Sequence, residues 1–179
     1  DSLTALDSST AYIRLTQFNG NAAYEFKLAM EKFKEESKTN LVLDLRSNGG
    51  GYMNILQEIC GYFCKGASGS SLIATAKYRE GQRENFYTEN ACYNKYFNEN
   101  SQIKVLADSS TASASECLIG CMIDYGAITY ADICLSERNG VAKTYGKGIM
   151  QSTRPFSNFG NSDAMKLTTA QIYWPKTEN

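Results

Sequence analysis

Three short stretches of the chain carry residue types that could do chemistry together. Residues 44–51 read DLRSNGGG, with Gly49, Gly50 and Gly51 closing an apolar run. Consecutive glycines allow positive φ and let backbone N–H groups approach a ligand with no Cβ in the way. Residues 111–116 read TASASE and open a second apolar segment. A serine at a helix mouth lies where free N–H groups and the helix dipole favour an oxyanion. Residues 144–151 read TYGKGIMQ, which places Lys147 between two glycines. A serine hydroxyl needs a neighbour to take its proton, and a lysine can do so only when neutral. Burial disfavours the ammonium and can bring a lysine to ~7–8. Taken singly, these are a loop, a helix cap and a solvated turn. In this order they form a possible nucleophile, base and oxyanion pocket.

Composition narrows the chemistry further. The 179 residues contain no histidine, which removes Ser-His-Asp and Cys-His catalysis, imidazole acid–base steps and histidine metal sites. Eighteen Lys+Arg against 19 Asp+Glu give a net charge of −1, so there is no electrostatic case for a nucleic-acid partner or an anionic membrane surface. With 42% hydrophobic residues the length supports one core-forming domain. No apolar run approaches the ~18 residues of a membrane span, residues 117–123 (CLIGCMI) being the densest, and no signal peptide is visible. The pairs Cys60/Cys64 and Cys117/Cys121 are spaced for buried helix faces rather than a zinc knuckle. No cofactor or metal is expected.

The elements that would position the three stretches alternate between strand and helix. Residues 11–18 alternate as a half-buried strand, and Ala22, Ala23, Phe26, Ala29, Met30 and Phe33 fall at helical spacing behind Asn21 as N-cap. Residues 41–45 read as a buried strand, and Leu56, Ile59, Cys60 and Phe63 trace a second helix. Strands are expected at 71–76, 103–107, 127–131, 148–154 and 165–174, with a helix over 114–125. Residues 84–100 form a Tyr/Asn-rich excursion without a clear period. The pattern implies an α/β domain with the glycine and serine stretches at strand-to-helix junctions.

The combination resembles the C-terminal processing (tail-specific) serine proteases, which use a Ser/Lys dyad. YIRLTQF at 12–18 is similar to the family's early strand and DLRSNGGG to its DLR-N-GG motif. TASASE is similar to the nucleophile segment, YGKGIMQ to the GKG-x-x-Q segment, and MKLTTAQIYWP at 165–175 to the strand that follows. The resemblance implies an α/β, ClpP/crotonase-like catalytic domain of mixed sheet and packed helices spanning 1–179; in showing no PDZ insertion the sequence departs from the family's pattern. It implies a polypeptide substrate and an extracytoplasmic setting; the oligomeric state is unreadable.

By that resemblance Ser113 is the nucleophile, Lys147 the general base and Gln151 the residue that orients the lysine. The Gly50 and Ala114 N–H groups form the oxyanion hole, and Glu116, Asp124 and Thr144 support the site. Chemistry alone leaves Ser115 as a rival nucleophile; the family register favours Ser113. The Ser113–Lys147 separation exceeds the family's usual spacing, with the surplus at 132–143 read as a surface insertion or longer hairpin. Two other readings remain: a non-catalytic peptide or small-ligand binding module on the same fold, and acyl-CoA chemistry, which lacks a basic patch for the nucleotide phosphates.

Overall fold

The apolar run at 41–45 becomes the middle of a parallel sheet in the computed structural model, which describes residues 7–137, 140–155 and 164–176. The elements in chain order are β1 (Thr10–Arg14), α1 (Ala22–Glu35), β2 (Asn40–Asp44), α2 (Met53–Cys60), β3 (Gly69–Tyr78), β4 (Arg83–Ala91) and α3 (Tyr93–Tyr96). They continue with β5 (Ile103–Ala107), α4 (Ala114–Asp124), a 3₁₀ turn at Tyr130–Asp132, β6 (Ile133–Leu135), β7 (Ile149–Pro155) and β8 (Ala164–Tyr173). Strands β1, β2, β5 and β6 form one sheet in the order β1-β2-β5-β6, all parallel. Leu41, Leu43, Ile103 and Val105 are buried there, as continuous apolar strands require when both faces are covered.

The expectation of a single mixed, ClpP/crotonase-like sheet is corrected here. Strands β3, β4, β7 and β8 build a separate antiparallel sheet in the order β4-β3-β8-β7. The Tyr/Asn-rich excursion supplies β4 as an edge strand, in which Thr88 and Ala91 are the buried residues. A strand this polar shows no period, so its pairing with β3 could not be read from the sequence. The expected strand at 127–131 is a loop running into the 3₁₀ turn, and the fourth parallel strand is Ile133–Leu135. Within the stretch at 132–143, Ile133–Leu135 is therefore sheet, and residues 138–139 lie outside the described residues. Asn21 occupies the N-cap of α1 but makes no side-chain capping bond.

Helix α2 packs on α1, α4 and β4, and α4 on β3, and one buried apolar cluster takes in Leu43 of β2, Val105 of β5, Ile73 of β3 and residues of α1, α2 and α4. Cys60, Cys64, Cys117 and Cys121 are buried free thiols on this junction. Burial pushes the Cys117 thiol up to about 12, and the Cys121 thiol touches those of both Cys60 and Cys64.

The end of β2 is fixed by ionic hydrogen bonds. The fully buried Asp44 carboxylate accepts from Tyr12 Oη, from Arg46 Nε at 2.9 Å and from Arg46 Nη2 at 2.6 Å. Burial alone would raise its pKa, but the Arg46 and Tyr12 bonds outweigh it and lower it from 3.8 to about 2. A carboxylate with a depressed folded pKa stabilises the fold above its unfolded pKa and loses that contribution as pH falls through the folded value. Asp44 should contribute about 2 kcal/mol at neutral pH, lost between pH ~4 and ~2. Urea unfolding at pH 7, 4 and 2.5 tests this: Asp44→Asn should be less stable at pH 7 and show a shallower acid decline. Parallel declines for the two proteins would contradict it.

Candidate active site

Because β2 and β5 are adjacent and parallel, the loops leaving their C-terminal ends lie side by side, where α/β sheets present chemistry. Thr111 Oγ1 donates to the Leu45 carbonyl at 2.9 Å, and Ala112 N–H donates to the Asn48 carbonyl at 3.0 Å. Asp108 accepts the Ser47 N–H at 3.1 Å on each oxygen and the Ser110 N–H at 2.8 Å. Burial works against the Asp108 carboxylate, yet these backbone donors hold its pKa below the usual value. Asn48 is fully buried: its Nδ2 donates to the Leu15 carbonyl at 2.7 Å and its Oδ1 accepts the Gly50 N–H at 2.9 Å.

Ser113 stands at the N-cap of α4 with φ 60° and ψ −118°, a conformation that costs a non-glycine residue ~1–3 kcal/mol. The turn is held from outside. A Cβ at Gly50 would lie 2.7 Å from Ser113 Cβ and 2.8 Å from both Ala112 O and Ala114 N, so only glycine fits against it. Ser113 N–H donates to Glu116 Oε2 at 3.0 Å. Ser113 and Glu116 form a reciprocal capping box, in which the Ser113 side chain faces the Glu116 backbone N–H. Among the described residues the Ala114 and Gly51 N–H groups are without partners, whereas the Gly50 N–H is engaged by Asn48. Ser115 is fully buried and donates to the Asn48 carbonyl at 3.0 Å. The two serines are thus separated in role: Ser113 faces the cleft, and Ser115 fastens the helix to the glycine loop.

Glu116 joins this turn to the lysine segment. Its Oε1 accepts Thr144 Oγ1 at 2.7 Å and the Gly146 N–H at 2.6 Å, while Oε2 also accepts the Lys147 N–H at 2.8 Å. Tyr145 N–H donates to the Thr111 carbonyl at 2.9 Å beside it. Lys147 Nζ donates to Gln151 Oε1 at 3.1 Å, four residues further on in β7. No hydrogen bond links Lys147 Nζ to Ser113 Oγ among the described residues, although both side chains line one cleft. Such bonds are often long without substrate and tighten on binding. Asp124 is elsewhere: eleven residues along α4, roughly 16 Å from Ser113, its Oδ2 accepts the Lys176 N–H at 2.7 Å.

The cleft encloses about 610 Å³ between the glycine loop, the start of α4 and the β7–β8 ribbon. Met53, Leu56, Cys117, Ile172 and Trp174 make one wall apolar. The Trp174 indole lies flat on α4, since a Cβ at Gly120 would come within 2.2–2.3 Å of its ring atoms. Sequence reading missed this wall, although a glycine inside a helix signals close approach by another group. It also missed Asn48, Asp108 and Thr111 as ties between the loops. Among the described residues, no group of three or more Cys, Asp or Glu is placed to hold a metal ion.

A family model described as Peptidase family S41 matches residues 9–179. The chain belongs to that family. It is 31% identical over 144 residues to a carboxyl-terminal-processing protease of Synechocystis, covering 80% of this chain and 30% of that protein. It is 28% identical over 160 residues to the carboxy-terminal processing protease CtpB of Bacillus subtilis, covering 89% of this chain and 29% of the relative. The chain therefore spans under a third of the length of these curated relatives. Among solved structures it superposes on a photosystem II D1 C-terminal processing protease with a TM-score of 0.68 at 24% identity, covering 93% of this chain and 38% of the other. The fold is thus that of S41 tail-specific proteases, which replaces the ClpP/crotonase-like assignment.

The Gly50 contact makes a direct prediction for this S41 site. Gly50→Ala must place a side chain at φ +95° against the Ser113 turn. It should cost about 1–3 kcal/mol of stability and abolish labelling of Ser113 by a fluorophosphonate. Labelling at the wild-type rate would show that the glycine does not shape the turn.

Proposed function

We propose that the chain is the catalytic core of a serine endopeptidase that cleaves polypeptides near their C-termini with a Ser113/Lys147 dyad. The observation that carries this reading is the Glu116 carboxylate holding the Ser113 N–H at 3.0 Å and the Lys147 N–H at 2.8 Å on one oxygen, beside a cleft lined by both residues. Membership of family S41 and likeness to C-terminal processing proteases support it.

Lys147 Nζ takes the Ser113 hydroxyl proton as Oγ attacks the scissile carbonyl. Gln151 Oε1 keeps the amine directed, and the lysine returns the proton to the leaving amine. The tetrahedral oxyanion is received by the free Ala114 N–H and the glycine loop. There the Gly50 N–H exchanges the neutral Asn48 Oδ1 for an anionic acceptor, a stronger bond. Each such donor is worth roughly 2.7–4 kcal/mol in the transition state. Glu116 and Thr144 act as positioning residues. The apolar wall of Met53, Leu56, Cys117, Ile172 and Trp174 suits an apolar substrate side chain. Residues 1–179 serve as a single catalytic unit in this reading, and an extracytoplasmic setting goes with it on family grounds.

A binding module without catalysis is the second reading, favoured by the Lys147–Gln151 bond standing where a Lys147–Ser113 bond would mark a catalytic dyad. Wild type, Ser113→Ala and Lys147→Ala incubated with an unfolded protein separate the two. Catalysis predicts that each substitution lowers cleavage at least ~10³-fold. Equal cleavage by all three would overturn it, and peptide binding without cleavage by wild type would establish the module.

A further inference from the structure

The charged side chains lining the cleft are Glu116, Lys147 and Lys166. Two of them are committed to the site itself. Both Glu116 oxygens accept hydrogen bonds from Ser113 or the lysine segment, and Lys147 Nζ is held by Gln151. Lys166 differs: among the described residues it has no carboxylate and no hydrogen-bond partner. By contrast, Lys32, Lys38, Lys95 and Lys104 all pair with Asp or Glu.

Its place on the β7–β8 ribbon is set by register. Gln151 pairs with Thr168 and Thr153 with Lys166, after a register shift that leaves Thr169 as an extra residue on β8. Beyond that bulge, Gln151, Thr153, Thr168 and Lys166 share one face of the ribbon, because side chains two apart point the same way. Lys166 is therefore the diagonal neighbour of Gln151, at roughly 7–8 Å, and its long side chain reaches the cleft that Gln151 lines. Any peptide lying along this wall toward Ser113 passes an ammonium that no carboxylate among the described residues neutralises.

We infer that Lys166 is a specificity-determining residue that selects substrates carrying a carboxylate a few residues from the scissile bond. The inference rests on the peptidase reading above for its substrate class. A polypeptide offers that carboxylate as its own C-terminus or as an Asp or Glu side chain. Lys166 is exposed, so the attraction is of the modest size of a solvent-screened ion pair and weakens with salt.

The test uses one decapeptide of small apolar residues in three forms: free C-terminal carboxylate, C-terminal amide, and amide with Glu or Gln in each of the last four positions. Cleavage is measured as kcat/KM with wild type and with Lys166→Arg, Lys166→Met and Lys166→Glu. Binding of the same fluorescent peptides to Ser113→Ala, alone and combined with each Lys166 substitution, is measured by anisotropy. Carboxylate-bearing peptides should be preferred about 3- to 10-fold, with the preference kept by Lys166→Arg, removed by Lys166→Met and reversed by Lys166→Glu. Preference for the free terminus alone identifies the chain end as the group read; preference for Glu over Gln identifies a side chain. An unchanged preference in Lys166→Glu, in both cleavage and binding, would overturn the inference. Absence of cleavage by wild type would instead count against the peptidase reading, leaving the binding measurements to decide the role of Lys166.

Discussion

One carboxylate organises this site. Glu116 accepts four hydrogen bonds from two segments about 30 residues apart in sequence, and three of the four donors are backbone N–H groups. Charge-assisted bonds to backbone are short and directional, so they fix main-chain positions rather than side-chain rotamers. The Ser113 N–H and the Lys147 N–H share the same oxygen. Ser113 and Lys147, the proposed nucleophile and base, are therefore placed relative to each other through their backbones, before either side chain is chosen. Catalysis by positioning depends on this kind of preorganisation, since small displacements of reacting groups are expensive.

The rest of the fold serves that bracket. The parallel pairing of β2 with β5 brings the glycine loop to the nucleophile turn, and buried Asn48 with Ser115 and Ala112 locks the two together. The strained Ser113 conformation persists because Gly50 leaves room for it and Glu116 holds its N–H. The antiparallel sheet contributes differently: β7 carries Gln151 directly after Lys147, and β8 leads to Trp174 on the back of α4. The parallel sheet thus presents Ser113, and the antiparallel sheet follows Lys147 and adds Ile172, with Trp174 just beyond it, to an apolar wall that α2 and α4 complete. The helices between them, with their buried thiols, keep the two in register.

Much of this was legible in the residues. The parallel strands β2 and β5 and the helix α4 announced themselves, because burial on both faces demands continuous apolar runs such as LVLDL and IKVLA. That the three stretches at 44–51, 111–116 and 144–151 meet at one cleft was legible for a chemical reason: glycines, serines and a flanked lysine at strand ends suggest a shared site. What stayed hidden depends on long-range pairing. Strand β4 is polar because it is an edge, Ile133–Leu135 is too short and too exposed to show a period, and the separation into two sheets is decided by partners distant in sequence. Ser115 and Asp124 show the same boundary. Ser115 could be assigned to the loop contact only once its burial was seen, and Asp124 turns out to anchor the C-terminal segment through Lys176.

The central claim is that Glu116 sets the relation between Ser113 and Lys147. Its most direct measurement is the rate at which a fluorophosphonate labels Ser113 in wild type and in Glu116→Ala, with circular dichroism and thermal melting confirming that both are folded. Loss of the bracket should slow labelling at least ~100-fold in the folded variant, although neither Ser113 nor Lys147 has been altered. Labelling of the folded variant at the wild-type rate would contradict the account.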